Sequence, residues 1–415
     1  MTSNRRSLVV LALLLAGLVQ AGTAEQQART AEQQARTAEQ QANTAEQQAG
    51  APSQPATPQS AGNPQPPPSQ TQPGDPQATF RAGINYVAVD VIVTDKKDNP
   101  VIDLKKEEFE VFEDGKPQPI EQFRLVRIGP SAMPGDSVPR RVRSRDDEQQ
   151  EAGREDVRVI AILLDDYHTR KSTAMAIKEP LTKFLQTQLG PNDLVAVMYP
   201  LTPVSEVLFT NNHAAAVSAV QRFEGRKFDY TPRNRFEEEY ARYPAADVER
   251  IRNDVVMDAI SAVGIRMGSM RQGRKSVIFV SEGFTIMLPP QMQRQNAQDP
   301  IDPLVAAAAS TVQDSPRQQS AEFFNQAMID GRMREVYRDL NRNNASVYSL
   351  DPRGLAPFEY DIDAVPGGTI SFQNDRRALQ MTQDTLKALS EQTDGRAIVN
   401  RNTLSQGLAQ IVRDS

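Results

Sequence analysis

The sequence predicts an α/β domain with a doubly wound, mostly parallel sheet, preceded by a small β-rich module and a disordered N-terminal tether. Three observations carry this. From Val157 onward, short and almost continuous apolar runs alternate with segments of 3.6-residue apolar period. Between Phe80 and Arg127 apolar residues alternate singly around turn signals. Ahead of Phe80 the chain is repetitive, then rich in Pro and Gln, with too little apolar surface for a core.

The whole chain narrows the chemistry. Its 415 residues suffice for two or three domains with a sizeable core, and 39% are hydrophobic. A net charge of −6, from 47 basic and 53 acidic residues, gives no field pointing to nucleic acid or an anionic membrane. Without cysteine there are no disulfides, thiolate metal sites or cysteine nucleophiles, and with only His168 and His213 there is no histidine-rich metal cluster.

Residues 1–21 are expected to be a signal peptide. Arg5 and Arg6 precede an apolar run from Leu8 to Val19, and Val19-Gln20-Ala21 fits cleavage after Ala21. The run is short for a bilayer span of roughly 20 residues. A secreted or periplasmic location without a stable membrane span follows as the expectation.

Residues 22–79 form the tether. Four copies of a seven-residue unit, TAEQQAR to TAEQQAG, run from Thr23 to Gly50, but their apolar stripe is alanine and buries too little area for a coiled coil. The Pro/Gln-rich stretch after it reads as extended or disordered.

Residues 80–127 read as the β-rich module. Val87, Val89, Val91 and Val93 alternate like a strand with one buried face, Leu104 to Phe109 read as a short helical turn, and Asp114-Gly115 signals a hairpin. The charged, proline-containing stretch 128–156 reads as a linker.

Residues 157–415 read as the α/β domain. The strands expected are VRVIAILL (157–164), DLVAVMY (193–199), KSVIFV (275–280), ASVYSL (345–350) and AIV (397–399), with VSEVLF (204–209) as an antiparallel edge. Helical stripes are carried by Ile177, Leu181, Phe184 and Leu185, by Val248 through Met270, and by Leu404, Leu408, Ile411 and Val412. The helical pattern is still running at Ser415, which leaves room for a further region. In such sheets ligands bind at the carboxyl ends of the strands, the edge expected to hold Asp165, Asp166 and Glu282.

The stretches VAVDVIVTD, KEEFEVFEDGKPQ, VIAILLDDYH, DLVAVMYPLTPV and GRKSVIFVSEGF resemble the von Willebrand factor A domain. More closely, they resemble the secreted VWFA-related proteins of acidobacteria. The resemblance covers roughly Phe80 to the end. It implies a doubly wound domain behind a β module, and protein or matrix binding, often through a divalent ion at the top of the sheet.

That ion site resembles Asp-x-Ser-x-Ser after the first strand, a Thr from a later loop and an Asp after the fourth. Mg²⁺ or another divalent cation is the implied cofactor, and the matching positions are Asp165, Thr169, Thr231 and Glu282, with Thr202 as a second candidate for the loop Thr. Tyr167 departs from the pattern, because a phenol overshoots the reach of a serine hydroxyl. Sliding the register to Asp166 puts His168 and Arg170 in ligand positions, which is worse. Two readings stay open: a degenerate metal mouth, and acidic strand ends solvated or paired with arginine, which carries the greater weight.

Nothing in the sequence demands catalysis. Asp165 and Glu282 could form an acid–base pair for an envelope hydrolase, but no Gly-x-Ser-x-Gly elbow or phosphate loop occurs. His213 reads as a surface or near-cap residue. The segment Phe223–Pro244 holds six of the chain's 24 aromatic residues interleaved with Arg226, Arg233, Arg235 and Arg242. It offers either a binding surface or a loop pinned to its own domain. The function expected is non-enzymatic binding of a protein, envelope or matrix ligand. Tyr167, His168, Tyr230, Arg233 and Arg235 are the expected contacts, on an edge completed by Asp165, Asp166, Thr169, Thr231 and Glu282. Assembly through the β module is a third possibility.

Overall fold

Five apolar runs pair into one parallel sheet in the computed structural model. It describes residues 91, 93, 95, 101, 103–124, 140–154, 156–271, 273–285, 287–288, 316–360 and 372–414. The expected signal peptide, repeats and tether lie outside the described residues, as does most of the expected strand at 87–93. The chain divides into two units, one containing Leu104–Phe123 and the other Val89–Asp103 with Arg124–Ser415.

In the first unit a 3-10 turn, Lys106–Glu108, precedes a hairpin of β1 (Val111–Glu113) and β2 (Lys116–Gln118). Asp114 and Gly115 both take positive φ, +48° and +75°, the tight turn expected of Asp-Gly. All six strand residues are exposed, and Phe109 packs against Phe123 with ring centroids 5.2 Å apart.

The second unit opens, among its helices, with α1 (Arg145–Ala152), inside the stretch expected to be a linker. Ser144 caps it by accepting from the Asp147 N–H, and its buried face consists of Glu148, Glu151 and Ala152. Glu148 accepts from the Phe209 N–H at 2.8 Å and pairs with Arg145 and Arg266. A helix that buries paired carboxylates shows no apolar period.

The sheet strands are β3 (Val159–Leu164), β4 (Leu194–Met198), β5 (Lys275–Val280), β6 (Ala345–Leu350) and β7 (Ala397–Ile398), in the order β4-β3-β5-β6-β7 and all parallel. All six residues of β3, β5 and β6 are buried, as expected of strands covered on both faces. Alternate residues serve opposite cores. Val159, Ala161 and Leu163 join the core containing α5 (Ala245–Gly268), α6 (Pro316–Arg342) and α7 (Phe372–Glu391). Ile160, Ile162 and Leu164 join the core of α2 (Lys171–Thr187), α3 (His213–Gln221) and α8 (Leu404–Arg413). The expected doubly wound α/β sheet is the one that forms.

Two local expectations change. VSEVLF does not make a strand. Only Thr210 bridges Val195, antiparallel, through two 3.0 Å bonds. Pro203 lacks an N–H and starts a turn closed by the Glu206 N–H, while Val207 and Phe209 are buried in the core. Helix α5, read as a one-sided stripe, also buries Glu249, Arg252 and Asn253.

Strand order reverses between β3, which leads back to β4, and β5, which leads on to β6. A crevice opens at the carboxyl ends of strands flanking such a switch. Here β3 runs into Asp165 and β5 into Ser281 and Glu282.

Candidate functional site

Asp165 continues the sheet, its N–H donating to the Val280 carbonyl at 3.0 Å. Its carboxylate accepts from the His168 N–H (3.1 Å), meets His168 Nδ1 (2.8 Å) and accepts from Ser281 Oγ (2.7 Å). Asp165, His168 and Ser281 are all fully buried. The histidine therefore braces the turn that its own aspartate begins, and its ring edge packs on Phe284.

Tyr167 points into the protein. Its hydroxyl donates to Glu237 Oε1 at 2.9 Å, and the guanidinium groups of Arg226 and Arg252 both lie over its ring, 4.5 and 4.8 Å from the centroid. Burial drives its phenol far above the ordinary range. For Glu237 burial works upward too, but Arg226, the Arg233 N–H and the Tyr167 hydroxyl hold its carboxyl down at about 2.

The insertion is fastened to this turn. The Arg226 N–H donates to the Asp166 carbonyl (2.8 Å) and the Lys227 N–H to that of Thr169 (3.0 Å). Contact this close needs Gly225: a Cβ there would stand 2.3 Å from the Thr169 carbonyl oxygen. Arg226 Nε also reaches Asp166 Oδ2 at 2.9 Å. Burial raises the Asp166 carboxyl pKa against the pull of Arg226.

Glu282 is the most heavily engaged group. It accepts from the Arg170 N–H (2.8 Å), Arg170 Nη1 (2.6 Å), Thr173 Oγ1 (2.6 Å) and Lys227 Nζ (3.2 Å). Arg170 is the N-cap of α2 but supplies no capping side chain, so Glu282 caps that helix from another strand. Burial alone would raise its pKa, yet Lys227, Arg170, Arg353 and Thr173 hold it at about 2. Gly283 follows with φ +87°, where a Cβ would stand 2.1 Å from the Thr382 carbonyl oxygen.

Lys227 Nζ also donates to Glu359 Oε1 at 2.5 Å, and Arg353 joins Glu359 Oε2 (2.5 Å) to Asp351 (2.8 Å). Asp375 accepts the N–H groups of Glu359 and Tyr360. The carboxyl edge of β3, β5 and β6 is thus a cage of alternating buried charges.

This geometry redistributes the expected site residues. Asp165, Thr169 and Glu282 do lie at the edge. Thr231 is exposed and bonded through its N–H to Asp229, and it is Thr173, one turn into α2, that donates to Glu282. Thr202 Oγ1 accepts from the Tyr199 N–H. Tyr167, His168 and Tyr230, expected as partner contacts, are 0%, 0% and 8% exposed and serve as internal braces. Arg233 and Arg235 are exposed. His213 opens α3 and its Nε2 meets the Asp193 carbonyl oxygen at 3.0 Å. Thr173, Lys227, Arg353 and Glu359 carry the cage and were not singled out by the sequence reading.

The residues present do not fit a divalent ion. Such an ion needs oxygen ligands with open lone pairs, whereas Glu282 accepts four N–H and O–H donors amid three cationic side chains, and Asp165 is engaged by His168 and Ser281. Among the described residues no three His, Cys, Asp or Glu side chains converge as ligands. Held at about 2, Glu282 does not suit the general-acid half of the expected carboxylate pair at neutral pH.

No family model matches the chain, and no curated protein matches it. Among the solved structures similar to this chain are two at 11% identity. One is an aerotolerance-related membrane protein from Bacteroides fragilis carrying multiple mutations to serines, with a TM-score of 0.28 over 62% of this chain and 99% of that one. The other is the conserved hypothetical protein BatB from Bacteroides thetaiotaomicron, with a TM-score of 0.27 over 62% and 96%. Among the described residues no helix is long and apolar enough to cross a membrane.

Proposed function

We propose that the chain is an exported, non-enzymatic binding protein of the von Willebrand A type, akin to the secreted VWFA-related proteins of acidobacteria. It holds a protein or envelope ligand on the outer face of the Phe223–Pro244 insertion. The observation that carries this is the division of labour within the insertion. Phe223, Arg226, Lys227, Tyr230 and Tyr240 are buried anchors, while Arg233, Arg235, Phe236, Arg242 and Tyr243 face solvent on and around α4 (Arg235–Tyr240). Phe236 and Tyr243 are 42% and 49% exposed, and arginine beside aromatic side chains is the composition of interface hot spots. A rigid base under such a face lowers the ordering cost of binding. Export rests on the N-terminal pattern and non-catalysis on the tied-up carboxylates. A carboxylate-pair hydrolase is the weaker reading.

The test immobilises the full chain and compares what it retains from an envelope extract with what an Arg235→Glu/Phe236→Ala/Tyr243→Ala variant of equal Tm retains. Loss of specific retained proteins supports the reading. Identical retention by the two contradicts it.

A further inference from the structure

Burying a lysine ammonium costs several kcal/mol unless carboxylates surround it, and lysine ordinarily keeps its charged end in water. The Lys227 side chain is nonetheless 0% exposed, with Nζ 2.5 Å from Glu359 Oε1 and 3.2 Å from Glu282 Oε2. It is brought there by a built device, namely two backbone hydrogen bonds to the β3 turn and a glycine at 225 that lets the strands of chain touch. The charges around it are four carboxylates (Glu282, Glu359, Asp351, Asp375) against Lys227, Arg353 and Arg170. Without Lys227 the count becomes four negative against two positive, an excess that one divalent cation would balance.

We infer that Lys227 is a tethered counter-ion, which supplies from the insertion the positive charge that a free cation would otherwise have to bring to the Glu282–Glu359 gap. The edge is therefore complete without divalent ions. The insertion contributes more than a surface, because removing it also removes a charge from the sheet's switch point. Thr173 and Arg170 complete the arrangement by filling the remaining lone pairs of Glu282. This role stands apart from the partner reading above, since it concerns only the insertion's inner face.

The experiment is thermal unfolding of the full chain in EDTA and in millimolar Mg²⁺, Mn²⁺ or Ca²⁺, for wild type, Lys227→Met and Lys227→Met/Glu282→Gln. Wild type is expected to melt at the same temperature in all four. Lys227→Met, which keeps the stem and loses the charge, is expected to melt about 10 °C lower in EDTA. It is expected to recover part of that loss with a divalent ion, and the recovery to vanish in the double variant. Any of three results overturns the inference: a cation-dependent rise in wild type, no loss in Lys227→Met, or a loss that no cation relieves. Should Lys227→Met fail to fold, Lys227→Arg decides. Folding with the same indifference to cations supports a need for charge, and failure to fold shows that the position requires lysine's shape instead. Identical retention by wild type and the Arg235→Glu/Phe236→Ala/Tyr243→Ala variant, with these melting results intact, would sink the partner reading alone.

Discussion

At the scale of single residues, the edge separates charges that matter from charges that do not. Glu282 sits wholly inside, and replacing it with Gln leaves Lys227 and Arg170 to share Glu359 beside a neutral amide. Breaking a buried pair from one side costs about 3–5 kcal/mol. Arg233, whose side chain is 45% exposed and pairs with Glu224 at 3.4 Å, is expected to cost less than about 1 kcal/mol when cut to Ala. Urea unfolding of the two variants measures the contrast.

The same residues set an acid limb. Glu282 and Glu237 lie at about 2 when folded, below the ordinary 4.5, so their ionisation favours the folded state. That contribution is complete above pH 4.5 and is lost as pH falls from 4.5 toward 2. Asp166, Asp351 and Asp375, raised by burial, act in the opposite sense, so the slope is the difference. Urea midpoints across this window are expected to fall for wild type and to flatten in Glu282→Gln.

Asp165 and Glu282 could be placed at this edge from sequence because each ends an apolar run. Their partners could not. Lys227 and Glu359 are 55 and 77 residues from Glu282, and nothing in their local pattern distinguishes a buried lysine or glutamate from a solvated one. Tyr167 misled for a related reason: its ring is covered by arginines that arrive from the insertion and from α5.

At the scale of elements, the insertion and the β3 turn behave as one piece. Gly225→Ala would push a methyl into the Thr169 and Arg170 carbonyls, which the backbone must relieve by moving apart. The expected result is a loss of about 1–3 kcal/mol, with faster amide exchange at Arg226 and Lys227. Unchanged exchange there would mean that the two loops are not coupled. Helix α1 shows what the pattern hides, because its buried face is built from Glu148, Glu151 and Ala152. The edge at 204–209 shows the converse. Its alternation reads as a strand, but Pro203 and the core positions of Val207 and Phe209 bend it into turns.

At the scale of the whole molecule, the sheet was the most legible feature. β5 and β6 begin and end where KSVIFV and ASVYSL place them, and both faces are covered even at Lys275, Ser276, Ser346 and Ser349. The function proposed for this architecture puts its partner on the outside of a loop whose inside supplies a counter-charge to the sheet edge. The measurement that tests that arrangement most directly is a double-mutant cycle for Lys227→Met and Glu282→Gln by chemical unfolding. Direct charge coupling predicts single-variant losses that overlap, with an interaction energy of about 1–3 kcal/mol. Losses that add within about 0.5 kcal/mol would contradict it, and with it the account of the edge as a closed cage of directly paired charges.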